Sequence, residues 1–361
     1  MRDESNRSST EGKLLTIIVP SFNMERYLPK ALDSLLVRRN RLPDNLEIIV
    51  VNDGSTDRTS EVAHDFEKRF PGIVRVIDKT NGNYGSCINA ALPAASGWFV
   101  KIVDADDCVD SEAFSRFLDA LSEERDLGDR SADLVLADYV HVDSTGQVVK
   151  RVAFPLREGR NLVLPDCSRS FVQFGIHAVT YRLDAVKFVG YRQTEGISYT
   201  DLEWIVEPMA AVRRVSYYPL PVSRYLVGRP GQTTENAETI ARHFSHFVAI
   251  AGHFVANHSR LSGLCVPDAA PYYRGMVLQH LSRIYEADLF GFRGHRVSVD
   301  VRSLDSAIRN DPTLFQATEH ARIWSRRFPI RLIWCWRRHP GLGTLPLLAY
   351  GLFLKLKSFG K

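Results

Sequence analysis

The sequence predicts an α/β protein with a mostly parallel sheet flanked by helices and a helical extension toward the C-terminus. Two observations predict this fold. Over the first 125 residues, continuous apolar runs alternate with segments of helical periodicity, as is typical of strands buried on both faces between crossover helices. From residue 237 onward, the apolar residues recur only at helical spacing.

The individual elements follow from the same periodicities, taken in chain order. Strands are predicted at residues 15–19, 46–51, 74–77 and 98–102. Helices are predicted at residues 27–36, 57–70, 86–95 and 111–124. Ser55 or Thr56 is the expected N-cap of the second helix. The segment 133–227 is mixed, with strand-like runs at 134–140 and 147–154 and a helix near 202–212.

Composition indicates an ordinary globular protein rather than a disordered or disulfide-rich one. The 361 residues are 45% hydrophobic and 24% charged. The five cysteines show no CxxC spacing, which favours free thiols in a reducing compartment and disfavours structural zinc. Residues 1–13 are polar and lack the apolar core of a signal peptide, so we expect a frayed leader.

The last segment, residues 321–361, contains nine Lys and Arg residues and no Asp or Glu, interleaved with Trp, Leu and Phe. Its longest uncharged apolar stretch, residues 341–354, is shorter than the ~20 residues that a spanning helix needs. The composition predicts a basic amphipathic tail that associates with an anionic membrane surface. The alternative is a helix that packs on the body with a solvated basic face, and so much Leu and Trp disfavours a nucleic-acid partner.

Three carboxylates, Asp104, Asp106 and Asp107, follow the fourth predicted strand. Because side chains alternate faces along a strand, we expect Asp104 and Asp106 to point the same way. A hard cation such as Mg²⁺ or Mn²⁺ between them would relieve their mutual repulsion. The alternative is an acidic turn whose last Asp caps the following helix. The other polar turns also lie at the carboxyl ends of predicted strands, where open α/β sheets bind ligands, and this convergence favours the cation site.

Two of those other turns carry further candidate residues. Asp53 ends the second strand just before Gly54, and its carboxylate either accepts hydrogen bonds from a base or ribose or only satisfies backbone amides. Residues 79–85 form a polar loop whose amides can line a nucleotide. The chain has no GxGxxG and no GxxxxGK[ST], so neither dinucleotide nor P-loop chemistry is supported.

Four motifs, in order, carry a resemblance to a known family: TIIVPSFN at residues 16–23, IVVNDGSTD at 49–57, NGNYGSCIN at 81–89 and VDADD at 103–107. The chain resembles the inverting nucleotide-sugar glycosyltransferases of family 2, which have the GT-A fold. The resemblance is specific over residues 14–110 and looser to about residue 235. It implies a GT-A-type, Rossmann-like catalytic domain over residues 14–235, in which 14–125 bind the donor and 126–235 the acceptor, followed by a helical extension over 236–320.

The resemblance also implies roles for individual residues. In the donor site, it places the nucleotide sugar against Pro20, Ser21, Asn23, Asp53, Asn81, Gly82, Asp104 and Arg229. Asp104 reaches the ribose or the metal, and Asp106 binds the divalent cation on the diphosphate. Arg229, in the sequence YLVGRPGQT, pairs with the leaving diphosphate; the alternative is an exposed Arg in a Gly-Pro turn.

The family's catalytic base lies in a Glu-Asp pair at a helix start, and the matching stretch here reads ISYTDLEW at residues 197–204. Thr200 replaces the usual Glu of the pair, whereas Asp201 matches its Asp. We expect the helix N-terminus to keep Asp201 ionised and ready to accept a proton; the alternative is that it is only an N-cap. In that alternative Glu203 lies on a solvated face, and Glu203 is the fallback base. The acceptor cleft is expected near His177, Glu203 and Trp204, although a lone His is more often a core residue.

These implications describe a metal-dependent inverting glycosyltransferase. Its donor is a nucleoside-diphosphate sugar, with a UDP-sugar foremost, and its acceptor is a hydroxyl of a glycan or lipid-linked oligosaccharide in cell-surface or capsular polysaccharide synthesis. The expected location is cytoplasmic, peripheral on the inner face of the cell membrane. The alternatives are a polyprenyl-phosphate glycosyltransferase and an inactive nucleotide-binding scaffold at the membrane; a nucleotidyltransferase is disfavoured because no Gly-rich basic loop follows the first strand.

Overall fold

The computed structural model describes residues 12–36, 45–162, 174–229, 231–232, 236–290, 300–325 and 328–338. These residues form two compact units. The first takes in the described residues up to 229 together with 264–269, and the second takes in the described residues between 231 and 263 and from 270 onward.

The first unit contains all the predicted motifs. Its strands are β1 (Leu15–Ser21), β2 (Leu46–Asp53), β3 (Val74–Lys79), β4 (Phe99–Ile102), β5 (Cys108–Val109), β6 (Leu134–Val142), β7 (Val148–Val152), β8 (Gly159–Leu162), β9 (Val179–Arg182) and β10 (Val215–Leu226). Its helices are α1 (Leu28–Leu35), α2 (Thr59–Arg69), α3 (Asn83–Ala91), α4 (Ser111–Asp126), α5 (Leu183–Phe188) and α6 (Asp201–Val206).

The ten described strands of this unit form one sheet, with a main path in the order β3-β2-β1-β4-β9-β6-β10-β5. Strands β3, β2, β1 and β4 are parallel neighbours, β9 is antiparallel to both β4 and β6, and β10 runs parallel to β6. The α/β fold predicted from the sequence is confirmed, with a sheet that is parallel from β3 to β4 and mixed beyond β4. Every residue of β1 is buried, which is why its sequence is a continuous apolar run rather than an alternating one.

The helices cover the sheet through their apolar faces. In α1, the residues Leu28, Ala31, Leu32 and Leu35 are buried. Helix α4 begins where the sequence predicted, because the Asp110 side chain accepts a hydrogen bond from the Ala113 amide at 3.0 Å. The helix predicted near 202–212 is shorter: α6 ends at Val206 and a 3₁₀ turn follows, since Pro208 lacks the amide that would continue the helix.

The strand register sets the position of the site. Ser21 pairs with Asn52 across β1 and β2, and Asp53 pairs with Lys79 across β2 and β3. Ile102, the last residue of β4, pairs with Ile18 of β1. The polar turns after these four strands therefore meet at one edge of the sheet, as expected from the parallel arrangement.

The second unit is mainly helical, as predicted beyond residue 237. It contains α7 (Ala237–Arg242), α8 (Phe244–Leu264), α9 (Ala270–Phe290), α10 (Val301–Arg309), α11 (Pro312–His320), the short pair β11 (Ile323–Ser325) and β12 (Phe328–Ile330), and α12 (Leu332–Arg338). Ile250 and Phe254 lie on the buried side of α8, as their spacing predicted. Among the residues that the structure describes, no helix is long and apolar enough to span a membrane.

Part of the predicted tail is built into this second unit. Leu332 and Ile333 of α12 are buried, and Arg337 forms ion pairs with Asp305 at 2.7 Å and Glu319 at 2.8 Å. For α12, the alternative prediction of a helix that packs on the protein therefore holds. Residues 339–361, the rest of the predicted membrane-associating tail, lie outside the described residues.

Candidate active site

Asp53 organises the loop that follows β3. The carboxylate is only 2% exposed, and its Oδ1 atom accepts hydrogen bonds from Lys79 Nζ at 2.7 Å and from the Gly82 amide at 2.9 Å. Gly54 has a φ of +70°, and a Cβ there would lie 2.8 Å from the Asn81 amide nitrogen, so the turn requires glycine. Asn81 itself donates to the Asp53 carbonyl at 3.0 Å. Asp53 thus holds the loop at residues 79–82 in place.

The turns after β1 and β2 are joined by Asn23. Its side-chain oxygen accepts from the Thr56 amide at 2.8 Å, and its own amide donates to Ser55 Oγ at 3.0 Å. Pro20 and Ser21 are buried at the end of β1, beside this junction. The residues for which the resemblance implied a nucleotide-binding role therefore lie together at one edge of the sheet.

The acidic motif forms a turn and not a continuation of β4. The strand ends at Ile102, and the Asp107 amide donates to the Asp104 carbonyl at 2.9 Å. The prediction that Asp104 and Asp106 share a strand face was therefore wrong in its reasoning. Burial, followed by the charge of Asp106, raises the pKa of Asp104 to about 6. The two carboxylates are therefore close to each other nevertheless.

Each of the three carboxylates has its own partners. Asp104 accepts from the Tyr84 hydroxyl at 2.8 Å, and Asp106 accepts from Arg229 Nε at 2.7 Å. The Arg229 guanidinium also lies 5.3 Å from the centroid of the Tyr27 ring, so the alternative of an exposed Arg is not what the structure has. The contact places the predicted phosphate-binding cation directly against the predicted metal ligand.

Asp107 is a buried anchor beneath the turn. It is 1% exposed, its Oδ1 atom accepts from the Leu226 amide at 2.8 Å, and its Oδ2 atom lies 3.3 Å from His177 Nδ1. Burial, followed by the charges of Asp104 and Asp106, raises its pKa well above the usual range. Asp107 therefore ties the acidic turn to the end of β10, which leads to Arg229.

His177 sits among aromatic rings and a buried lysine. Its ring stacks on Tyr225 at 4.4 Å between centroids and lies 5.2 Å from that of Tyr139. The buried Lys101 ammonium donates to the His177 carbonyl at 2.7 Å. Burial, with the nearby charges of Lys101 and His141, lowers the pKa of His177 to about 3. These surroundings fit the core-residue alternative with a neutral imidazole, and the place of His177 in an acceptor cleft stays a prediction.

Asp201 lies on the first turn of α6, as predicted. Its ionisation differs from the prediction, however, because burial and then the charge of Asp104 raise its pKa to about 7, although the Asp201 and Leu202 amides act in the opposite direction. The expectation that the helix N-terminus keeps it fully ionised was therefore wrong. A carboxyl group with a pKa near neutrality is suited to accept a proton from a hydroxyl group.

Tyr84 is a site residue that sequence reasoning missed. Its hydroxyl donates to Asp104. Burial, followed by the charges of Asp104 and Asp201, raises the pKa of Tyr84 well above the usual range. Tyr84, Asp104 and Asp201 thus share one electrostatic environment although they come from three separate segments. The only sequence signal was that Tyr84 lies in the polar loop 79–85.

Glu203 and Trp204 are each 0% exposed, so the expectation of a solvated Glu203 was wrong. The Glu203 Oε2 atom accepts from the Thr194 amide at 2.7 Å. The Trp204 ring makes edge-to-face contacts with the rings of Tyr181 and Tyr191, at centroid distances of 5.5 and 5.4 Å. Full burial favours a role in positioning α6 over direct contact with an acceptor.

The acidic turn fits a divalent cation that is shared with a bound diphosphate. Asp104 and Asp106 supply hard oxygen donors. Burial, followed by the negative charge of Asp106, raises the pKa of Asp104, and a cation would relieve that charge repulsion. Across the described ranges, no group of three His, Cys, Asp or Glu side chains is arranged to hold a metal alone. Mg²⁺ is commonly bound by one or two carboxylates together with substrate phosphates, which matches this donor set.

Comparison with known proteins agrees with the geometry. Residues 16–131 match the sequence model of the family described as glycosyl transferase family 2. An uncharacterized glycosyltransferase of Mycoplasma pneumoniae is 26% identical over 226 residues, which is 61% of this chain and 70% of the relative. The chondroitin synthase of Pasteurella multocida is 35% identical over 100 residues, 28% of this chain but only 10% of that protein.

Among solved structures, the chain is similar to Staphylococcus aureus TarS, residues 1–349, determined in complex with UDP-GlcNAc. The TM-score is 0.56 at 20% sequence identity, and the alignment covers 84% of this chain and 81% of the TarS chain. At this identity the likeness concerns the fold, and it confirms the predicted GT-A architecture.

Proposed function

Because the chain belongs to the family 2 glycosyltransferases, we propose that it transfers a sugar from a nucleoside diphosphate to a glycan hydroxyl by a single inverting displacement. One observation carries this proposal: Asp201 is near enough to the acidic turn for the charge of Asp104 to raise its pKa. This proximity supports a single site in which Asp201 would accept a proton and the acidic turn would bind the diphosphate.

The donor is proposed to lie along the carboxyl ends of β1 to β4. Pro20, Ser21 and Asn23 would line one side of the base, and Asp53 would contact the base or ribose. Asn81 and Gly82 border the opposite side, where hydrogen bonds to Asp53 hold their loop. A UDP-sugar is the first donor to test.

The diphosphate is proposed to face Asp104, Asp106 and Arg229. Asp104 and Asp106 would hold Mg²⁺ or Mn²⁺, which as a Lewis acid neutralises negative charge on the leaving diphosphate. Arg229, 2.7 Å from Asp106, is placed to pair with the same phosphate oxygens. Tyr84 holds Asp104 in position through the 2.8 Å hydrogen bond from its hydroxyl.

Asp201 is proposed to accept the proton from the acceptor hydroxyl. The hydroxyl oxygen then forms a bond to the anomeric carbon while the bond from that carbon to the diphosphate oxygen breaks, which inverts the configuration. The proton ends on Asp201 and the electron pair on the diphosphate. Removal of such a base typically costs ~10²–10⁴-fold in rate.

A glycan acceptor in polysaccharide synthesis is favoured over polyprenyl phosphate because a phosphate oxygen is already anionic and needs little help from a base. The chondroitin synthase relative is a polymer-forming enzyme by its name, which agrees with this choice. We also propose that residues 339–361 attach the enzyme to the inner face of the cell membrane, on the strength of their basic and apolar composition.

The test is a transfer assay with the purified full chain, a panel of nucleotide sugars, glycan acceptors, and Mg²⁺ or Mn²⁺. Release of nucleoside diphosphate and mass spectrometry of the acceptor report the reaction. Asp201→Asn should retain donor binding and lose transfer. If no donor is turned over with any acceptor, the proposed function is refuted. If Asp201→Asn transfers normally, the assignment of Asp201 as the base is refuted.

A further inference from the structure

A short segment before α6 is bound to the donor-side helix α3. We call residues 193–196 the strut. The Asn89 side chain of α3 donates to the Gln193 carbonyl at 2.8 Å and accepts from the Gln193 amide at 2.9 Å. The same side chain donates to Glu195 Oε1 at 2.8 Å. Asn89 therefore pairs with the strut backbone much as a neighbouring strand would.

The strut approaches α3 so closely that no side chain fits between them. A Cβ atom on Gly85 would lie 2.0 Å from the Thr194 carbonyl oxygen, well inside van der Waals contact. A second backbone hydrogen bond, from the Gly196 amide to the Gly82 carbonyl at 2.9 Å, joins the strut to the loop that Asp53 fixes. The strut thus contacts the donor side at both of its ends.

On its other side the strut is bound to α6. The buried Glu203 carboxylate accepts from the Thr194 amide at 2.7 Å. Gln193, which is 1% exposed, donates from Nε2 to Thr200 Oγ1 at 2.9 Å, and Thr200 is fully buried. Glu203 and Thr200 stand on either side of Asp201 in the sequence, so both anchors are adjacent to the proposed base.

The turn between the strut and α6 is strained. Tyr199 has a φ of +68°, in the left-handed region that non-glycine residues seldom adopt. Such conformations persist where the surrounding contacts fix them, and the anchors of the strut and α6 supply those contacts here. The backbone before Asp201 therefore has a single arrangement imposed from two sides.

We propose that Asn89 and Glu203 are positioning residues which, through the strut, set the distance between the donor-binding helix α3 and the base Asp201. This inference rests on the proposed function and adds to it a physical connection between the donor and acceptor sides. It also gives Glu203 a role as an anchor rather than as a second base. Misplacement of a reacting group by 1 Å can cost ~10²-fold in rate. A small displacement of the strut should therefore cause a measurable fall in kcat.

The test uses the full chain and three kinds of variant. Asn89→Asp keeps the acceptor for the Gln193 amide but loses both donated hydrogen bonds and sets a carboxylate against Glu195. Gly85→Ala forces the strut away from α3. Glu203→Gln keeps an oxygen that can accept from the Thr194 amide, whereas Glu203→Ala removes it.

The expected result is a fall in kcat for transfer of about 10–100-fold for Asn89→Asp, Gly85→Ala and Glu203→Ala, with the donor KM changed less than about threefold. Glu203→Gln should recover most of the loss seen in Glu203→Ala. The acidic limb of the kcat profile should also move to lower pH in Asn89→Asp, because a loosened strut admits water to Asp201 and burial is the main cause of its raised pKa.

Two matched controls separate positioning from general destabilisation. Glu124 is a buried carboxylate in α4 that accepts from the Ala132 amide at 2.9 Å and also pairs with Arg160 at 3.0 Å. Glu124→Gln therefore makes the same substitution at a buried site away from the strut, with at least as large an expected loss of stability. Asn257 of α8 donates to the His253 carbonyl at 3.1 Å, and Asn257→Asp matches Asn89→Asp. Neither control should alter kcat or its pH profile beyond what an equal loss of thermal stability explains.

The outcomes distinguish this inference from the proposed function. If the wild-type chain transfers sugar and Asp201→Asn does not, while all the strut variants retain wild-type kcat and pH profile, the strut proposal fails and the function stands. If Glu203→Gln is as inactive as Asp201→Asn, Glu203 acts chemically and its positioning role is wrong. If one variant fails to fold, the remaining variants still decide the matter, because each acts on a different contact of the strut.

Discussion

The rate of transfer should depend on pH because of Asp201, and lowering the pH is the perturbation that tests it. The base must be ionised to accept a proton, and its pKa is raised to about 7 by burial and by the charge of Asp104. Since the folded-state pKa is raised, the active form is lost as the pH falls through that value. A group with a pKa of about 7 is about one tenth ionised at pH 6. Because a cation on Asp104 would lower the pKa of Asp201 in the substrate complex, kcat at pH 6 should fall by up to about tenfold from its plateau.

The assay is nucleoside diphosphate release between pH 5 and 9 at saturating donor and acceptor. Saturation matters because Asp104, with a pKa raised to about 6, also titrates in this range. Protonated Asp104 weakens the donor site and should appear in the donor KM, whereas protonated Asp201 lowers kcat. The two groups are thereby read from different kinetic constants.

Two controls sharpen the measurement. Asp201→Asn should leave only a slow residual rate without this acidic limb. Glu203→Gln removes a charge that contributes to the raised pKa of Asp201, so its acidic limb should move to lower pH. A wild-type kcat that stays constant from pH 8 down to pH 5 would refute the assignment of Asp201 as the base with a near-neutral pKa.

Three further predictions follow from other parts of the molecule. Asp106→Asn should reduce metal-dependent transfer by at least about 10²-fold while the fold stays intact by circular dichroism; near-normal turnover with Mn²⁺ would contradict the cation site. Gly97→Ala should destabilise the chain by about 1–3 kcal/mol in denaturant unfolding, because the new Cβ would lie 2.4 Å from the Thr16 amide nitrogen; an unchanged midpoint would show that the backbone yields there. Deletion of residues 339–361, which spares α12, should release the protein from anionic vesicles in flotation assays, and equal flotation would exclude this tail as the anchor.

The sequence predicted those features that depend on local pattern. The buried strand at Leu15–Ser21 is a continuous apolar run, and the capping of α4 by Asp110 follows from one polar side chain before an apolar period. The convergence of Asp53 with the acidic turn needed only the rule that parallel strands end at one edge. Such inferences use neighbours in the chain or a general rule of sheet topology.

Other features depend on contacts between distant segments, and these the sequence could not provide. Nothing near Asp201 in the sequence predicts that burial outweighs the helix amides and raises its pKa. Asn89 looks like an ordinary helix residue until the fold brings it against Gln193, 104 positions later. The turn at Asp104 was predicted only as the alternative to a continued strand, because a strand and a tight turn have the same short sequence pattern here.

The hydrogen bond from the Leu226 amide to Asp107 has a consequence for how the molecule opens. It makes the acidic turn part of the same cooperative unit as β10, whose pairing with β6 extends from Val215 to Leu226. Amide hydrogen exchange at the turn should therefore be as slow as in the sheet interior.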